Sequence, residues 1–351
     1  MKLQHAGVVA AITLAVLTLA PIPVVAQIAQ TATATRVATS AAAWLVPRTP
    51  WGDPDLQEVW TSEMLRDARV PYERPREFGS RAYLTDEEFA ERQKRAAQFG
   101  FHNESQTFRQ TSLIVDPPDG RYPALTPQGL TRVRPQDVGT YGNGPFDSAA
   151  DLTLYDRCIT RGVVASILPV AYGNALQIIQ LPGAVVIRYE MVHETRVIPL
   201  DGRPRIGAGI RQYMGDARGR WEGDTLVVET TNFTDKTSVS RNGYGPRHTA
   251  ALRLVERFTR VAQNQIDYEA TAADPQTWTR PFTFRFPLNT QANYRQLLPY
   301  ECHEGGNSYS VGNILGGARA RDAALAEAAR KGIALPAEPP NEPLLEGVQR
   351  P

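Results

Sequence analysis

The chain has 351 residues, 42% of them hydrophobic, which is enough to bury a full core in one large β domain or two smaller ones. Lysine and arginine total 38 against 37 aspartates and glutamates, so no net field draws in nucleic acid or an anionic membrane surface.

Lys2, an apolar run from Ala6 to Ala20, and Val24-Val25-Ala26 ahead of Gln27 fit a secretory signal peptide over residues 1–26. The run is too short to span a bilayer, and Pro21 and Pro23 would end a helix where cleavage is expected. The expected location is therefore the periplasm or the exterior, with no membrane insertion after cleavage. Residues 27–46 are rich in Ala and Thr, lack the means to build a core, and read as a flexible leader. The only cysteines are Cys158 and Cys302. In an exported protein such a pair reads first as a disulfide, with two buried thiols as the alternative.

The folded part starts near Pro47 with a turn-rich segment and a short strand expected over Leu56–Thr61. An extended stretch follows at Pro71–Arg76. Thr85-Asp86-Glu87-Glu88 is a capping box, which opens an inserted helix near 85–99. Ser112–Val115 reads as a strand before a Pro-Pro-Asp-Gly turn, and 128–151 as a long Gly- and Pro-rich loop. From Gly173 to Phe233 two long β-branched runs are broken at Pro182-Gly183, Asp201-Gly202 and Glu222-Gly223-Asp224, which are turn signals between antiparallel strands. LRLVERFTRV and QIDYEATAAD form a further hairpin, followed by a strand in DPQTWTRPFTFRF and a last candidate in LLPYECHEG. Ala318–Lys331 is an Ala-rich helix stopped at Gly332, and a mobile Pro-rich tail completes 318–351. Many antiparallel strands with few helices leave a closed barrel or a sandwich. The expectation is a mainly β, antiparallel up-and-down barrel of lipocalin (calycin) type over 47–317, with one inserted and one C-terminal helix.

PWGDPDLQ, SLIVDPPDGR, MGDARGRWEGDTLVVETTNF and DPQTWTRP, taken together, resemble a large family of secreted bacterial proteins that carry these motifs in the same order. The resemblance covers Pro47 to about Gly317. It implies export and a common fold, and carries no assigned activity or catalytic residues. More loosely, GRWEGDTLVVET resembles the hairpins of lipocalin-like barrels. Glu58-Val59-Trp60 stands where such barrels often have Gly-x-Trp, with Glu58 in place of the glycine.

Strand parity sorts each run into two faces. Between Val185 and Val197, the face Val185, Ile187, Tyr189, Met191, His193, Thr195, Val197 is expected to point inward, which places His193 among apolar neighbours. The same test puts Glu256 beside Leu252, Leu254 and Phe258, and Arg280 beside Trp278, Phe282, Phe284 and Phe286. Three ionisable groups are thus aimed inward. They form either a structural pair plus a hydrogen-bonded core histidine, or a catalytic set. In the catalytic reading His193 is the acid or base, Glu256 its orienter or a second base, and Arg280 the clamp for an anion or enolate. Tyr189, Met191, Trp278, Phe282 and Phe284 would line the ligand cavity.

No nucleophile elbow, phosphate loop or dinucleotide fingerprint occurs, and a two-histidine metal site with His303 is disfavoured by its spacing. No metal and no cofactor is implied. The sequence therefore points to an exported barrel enzyme performing cofactor-free acid/base chemistry on a small amphipathic or aromatic molecule, as an isomerase, lyase or hydrolase. The alternatives are a carrier using the same lumen, and a glycan or surface module with exposed Trp51 and Trp221.

Overall fold

The computed structural model describes residues 44–99, 107–133, 153–170, 173–240, 245–292, 294–302 and 308–333. The signal segment, the leader up to residue 43, most of the expected 128–151 loop, His303 and the tail beyond 333 lie outside the described residues.

Among the described residues ten strands carry the fold. They are β1 (Glu58–Trp60), β2 (Ile114–Asp116), β3 (Leu176–Leu181), β4 (Ala184–Tyr189), β5 (Thr195–Pro199), β6 (Asp216–Glu222), β7 (Thr225–Thr231), β8 (Arg253–Ala262), β9 (Gln265–Ala273) and β10 (Phe282–Asn289). They pair antiparallel into two sheets, in the orders β1-β3-β4-β5 and β2-β10-β9-β8-β7-β6. Two of the tight turns fall on the expected signals. Leu181 pairs with Ala184 across Pro182-Gly183, and Glu222 with Thr225 across Gly223-Asp224. Both glycines adopt positive φ, which a side chain would resist.

Among the described residues four α-helices accompany the sheets: α1 (Glu63–Asp67), α2 (Asp86–Ala97), α3 (Pro127–Leu130) and α4 (Ser308–Lys331). The capping box forms, because Thr85 Oγ1 accepts from the Glu88 N–H while the Glu88 carboxylate accepts from the Thr85 N–H. At the other end α4 begins ten residues before the expected Ala318, and its last turn is closed by Gly332 at φ +63°.

Both sheets feed one core, with Ile178, Ile187 and Ile198 from the smaller sheet packed in the same cluster as Leu226, Phe258 and Phe286 from the larger. At one corner the sheets are tied. Thr61, just after β1, and Asn289, at the end of β10, exchange both backbone hydrogen bonds at 2.9 Å. At the opposite corner β5 and β6 form no ladder among the described residues. Gly219 of β6 packs tightly there, since an added Cβ would sit 2.6 Å from a methyl carbon of Leu200, just after β5, and 2.8 Å from one of Ile198.

One expectation is overturned here. The run from Val185 to Val197 is two strands, because β4 ends at Tyr189, one turn of 3-10 helix spans Met191–His193, and β5 begins at Thr195. Tyr189 N–H bonds to the Glu194 carbonyl at 2.9 Å and closes the loop. Val192 and His193 both take left-handed φ, at 66° and 56°, a conformation costly for a β-branched residue. Ile187 lies opposite Arg196, and residues directly opposite share a face, so the inward set changes from odd to even numbers across the turn. Arg196 and Ile198 point inward, while Val197 is 61% exposed.

Candidate functional site

The parity change places a cation in the core. Arg196 is only 4% exposed and Glu256 is fully buried, and the two form a bidentate pair, Nη1 to Oε1 at 3.1 Å and Nη2 to Oε2 at 2.6 Å. Arg196 also donates to Tyr189 Oη at 3.1 Å and Thr230 Oγ1 at 3.2 Å, and Tyr268 Oη donates to Glu256 at 3.1 Å. Burial pushes the Tyr189 hydroxyl up to about 12 and that of Tyr268 well above its ordinary value, so both remain neutral donors or acceptors. Burial alone would pull the Arg196 guanidinium down, but the Glu256 carboxylate reverses this and holds it charged. Between the sheets lie this ion pair and the packed rings of Phe258, Tyr268 and Phe286.

One donor of this network is left over, because Arg196 Nε is buried and has no hydrogen-bond partner. The residue borders a cleft of about 530 Å³ that lies where β5 and β6 fail to pair. Val197, Pro199, Ile206, Met214 and Ala217 give the cleft apolar walls, and Arg203, Arg205 and Arg218 stand around it. Each of these arginines has an acid: Arg203 faces Asp201 at 2.5 Å, Arg218 faces Asp216 at 2.5 Å, and Arg205 faces Glu229 at 3.6 Å. The cleft is consequently amphipathic and close to neutral, with directed N–H donors.

Glu194, at the head of β5, stands behind one wall. Its carboxylate accepts from Thr160 Oγ1 at 2.6 Å, and the same hydroxyl lies 3.4 Å from Sδ of Met214, a lining residue. Burial raises the Glu194 carboxyl to about 7, against the opposing hydrogen bonds from Thr160 and the Arg161 N–H and the charges of Arg196 and Arg161. A carboxyl that titrates near neutrality can both take and give a proton at working pH.

The expected trio is not brought together. Glu256 points inward as expected but pairs with Arg196. Arg280 precedes β10, is exposed, and faces Asp116 across 3.6 Å, because Phe282 is the first residue of the strand. His193 is carried outward by the left-handed turn, and its Nε2 lies 2.6 Å from the Tyr300 carbonyl oxygen. Tyr189, Met191, Trp278, Phe282 and Phe284 are all buried, and none borders the cleft. Trp278, Phe282, Phe284 and Tyr122 pack edge to face at centroid separations of 5.1–5.9 Å, an arrangement for a core. Trp51 is exposed and bonds Asp53, whereas Trp221 is half-buried.

Glu194 and Arg196 escaped sequence reasoning because Glu190–Glu194 contains no Gly, Pro, Asn or Asp to mark a turn. The one local hint is the density of ionisable residues there, which is unusual for a strand buried on one face.

Cys158 and Cys302 are disulfide-bonded with their Cα atoms 5.8 Å apart, which joins the segment bearing Thr160 to the one bearing Tyr300. Among the described residues no group of three or more His, Cys, Asp or Glu is placed to hold a metal ion, and no helix is long and apolar enough to cross a membrane. Compared with known protein families and with curated protein sequences, the chain finds no match.

Proposed function

We propose that this chain is an exported enzyme that takes a small amphipathic molecule into the cleft between β5 and β6 and acts on it by cofactor-free acid/base chemistry. The observation that carries this reading is the buried Arg196 guanidinium, whose Nε–H lacks an acceptor beside a cleft of ligand size. An orphaned buried donor is costly, and because Nε has no exposed surface a ligand carboxylate or carbonyl oxygen would satisfy it only once the side chains over it move aside. Glu256, Tyr189 and Thr230 then fix the guanidinium in place. Glu194, behind the Met214 wall of the cleft, is our candidate acid or base for an isomerisation, elimination or hydrolysis.

Export is supported by the signal-like N-terminus and the disulfide, and by the motif resemblance to secreted bacterial proteins. We read the two sheets as a lipocalin-like barrel parted along one seam, with the ligand site in the seam and not in the interior. A carrier is the second reading, favoured by the apolar walls, and needs only Arg196 and the cleft.

The test is a screen of small carboxylic acids, esters and enolisable ketones against wild type, Ile206→Trp and Glu194→Gln. Ile206→Trp fills the cleft and should abolish uptake, while Glu194→Gln should bind normally and lose turnover. Unchanged binding by Ile206→Trp would reject the cleft. Full turnover by Glu194→Gln would reject its acid/base role, and binding without turnover by the wild type would leave the carrier.

A further inference from the structure

The cleft opens onto the outward face of the smaller sheet. Three of the four β5 residues that line it, Thr195, Val197 and Pro199, alternate with the inward Arg196 and Ile198 and so point away from the core. Val197 and Pro199 also begin cross-strand rows that run away from the cleft, Val197–Val186–Ile179 and Pro199–Ala184–Leu181. All six of these residues are apolar, although the outward face of a solvated antiparallel sheet is ordinarily polar. Leu181 is 51% exposed, Val197 and Ile179 are exposed with it, and Val186, Ala184 and Pro199 are half-buried. The next row, Gln177–Arg188–Thr195, is polar and bounds the strip on one side. The cleft wall and the strip are therefore one continuous apolar surface.

The strip is small and narrow. It crosses β5, β4 and β3, about 10 Å at the usual strand spacing, and is two rows wide, about 7 Å along the strands. An area of that size is far below the roughly 800 Å² per partner of a stable protein–protein interface. Its shape suits a single chain, since an extended alkyl tail of about eight carbons spans the three strands. None of the six side chains carries an aromatic ring or a polar atom, so a tail is recognised there only through its apolar surface.

We infer that the molecule taken into the cleft is an unbranched medium-chain carboxylic acid or ester. Its polar head sits among the cleft arginines, and its tail lies from Val197 and Pro199 across Val186 and Ala184 to Ile179 and Leu181. This substrate class rests on the cleft being the ligand site. The division into head and tail uses both surfaces, because the N–H donors of Arg203, Arg205 and Arg218 suit a carboxyl or carbonyl oxygen while the strip takes the tail partly out of water. The tail stays on the outward face of the sheet, so no residue of the buried core has to move to admit it.

Calorimetric titration of the full chain with butanoate, hexanoate, octanoate, decanoate and dodecanoate, each below its micellar concentration, tests it. Affinity should rise about twofold per added carbon, because full burial of a CH₂ gives about fourfold and a surface strip covers only one side of the tail. The rise should level off by dodecanoate, where the tail outruns the strip. The double variant Ile179→Ser/Leu181→Ser should flatten the series, weakening decanoate about tenfold while butanoate binds as before, and Leu181→Ser alone should cost decanoate about threefold. Both residues are exposed and stand outside the cleft lining, so folding should survive, as a thermal melt would check. Butanoate binding with no gain from longer tails would overturn the strip and leave the cleft reading in place, and a gain that persists in the double variant would overturn it equally. Failure of every acid to bind would remove the cleft as the ligand site and the strip with it. A wild type that runs as two chains in light scattering, and as one chain after the double substitution, would give this face to a second copy instead.

Discussion

The larger sheet and the β4–β5 hairpin obey the same alternation, yet only the first could be read from it. In β8 and β9 the ladder runs for nine or ten residues, and every second side chain of β8 from Leu254 to Arg260 is buried as parity requires. In β4 and β5 the strands are six and five residues long, and the turn between them reverses which parity points inward. Parity is therefore a property of one strand, and an unmarked turn resets it. Here the reset replaces a histidine with an arginine in the core and gives Glu256 a partner from a different strand.

The largest effect that would break this comparison is loss of the buried pair. Glu256→Gln should destabilise by about 3–5 kcal/mol, because it leaves the Arg196 charge buried without its counterion. Arg196→Met should cost a similar amount, and the double variant with an apolar residue at 256 should regain most of it. Chemical denaturation of the three variants checks the series. Equal losses from Arg280→Met would contradict the pairing with Arg196.

Removing the disulfide should come next. Cys302→Ser is expected to cost about 2–5 kcal/mol, since the bond closes a long loop in the unfolded chain. A melt of wild type with and without a dithiol reductant gives the same comparison without mutation.

A smaller effect sharpens the view of Glu194. Its folded-state value near 7 lies above the ordinary 4.5, so its contribution to stability is fully present below about pH 4.5 and is lost as pH rises through 7. Glu63 and Glu190 are raised by burial in the same direction. Buried His248 opposes them at lower pH. Burial pushes it down to about 4, so its contribution is present above 6.5 and lost as pH falls toward 4. Between pH 6.5 and 7.5 Glu194 acts without opposition from His248, and Tm should fall as pH rises. Glu194→Gln should flatten that slope, which a melt series across this interval would show.

The smallest effect is at the surface. Arg280→Met should change stability by about 0–1 kcal/mol, because its contact with Asp116 is exposed and long. His193→Ala should leave the core pair intact.

What could be read beforehand was what local chemistry determines. The Thr85 capping box, the Pro182-Gly183 and Gly223-Asp224 turns, the inward Glu256 and the Cys158–Cys302 pair all follow from residues within a few positions of one another or from the scarcity of cysteine. The pairing of Arg196 with Glu256 spans sixty positions, and the cleft exists because two strand edges fail to meet. Neither is a local property. Arg280 was misplaced for a simpler reason, since alternation was carried two residues past the point where β10 begins.

The gap between β5 and β6 also bears on how this scaffold can change. Much of the cleft lining comes from residues 203–206 and from Gln212 and Met214, which belong to no strand. Substitutions or insertions there alter the size and polarity of the cleft while every ladder keeps its register and Arg196 keeps its anchors. The anchor is inherited with the core, and the selectivity is written in a loop. One framework of this kind can serve chains that differ in what they admit, with little cost in stability when one lining is exchanged for another.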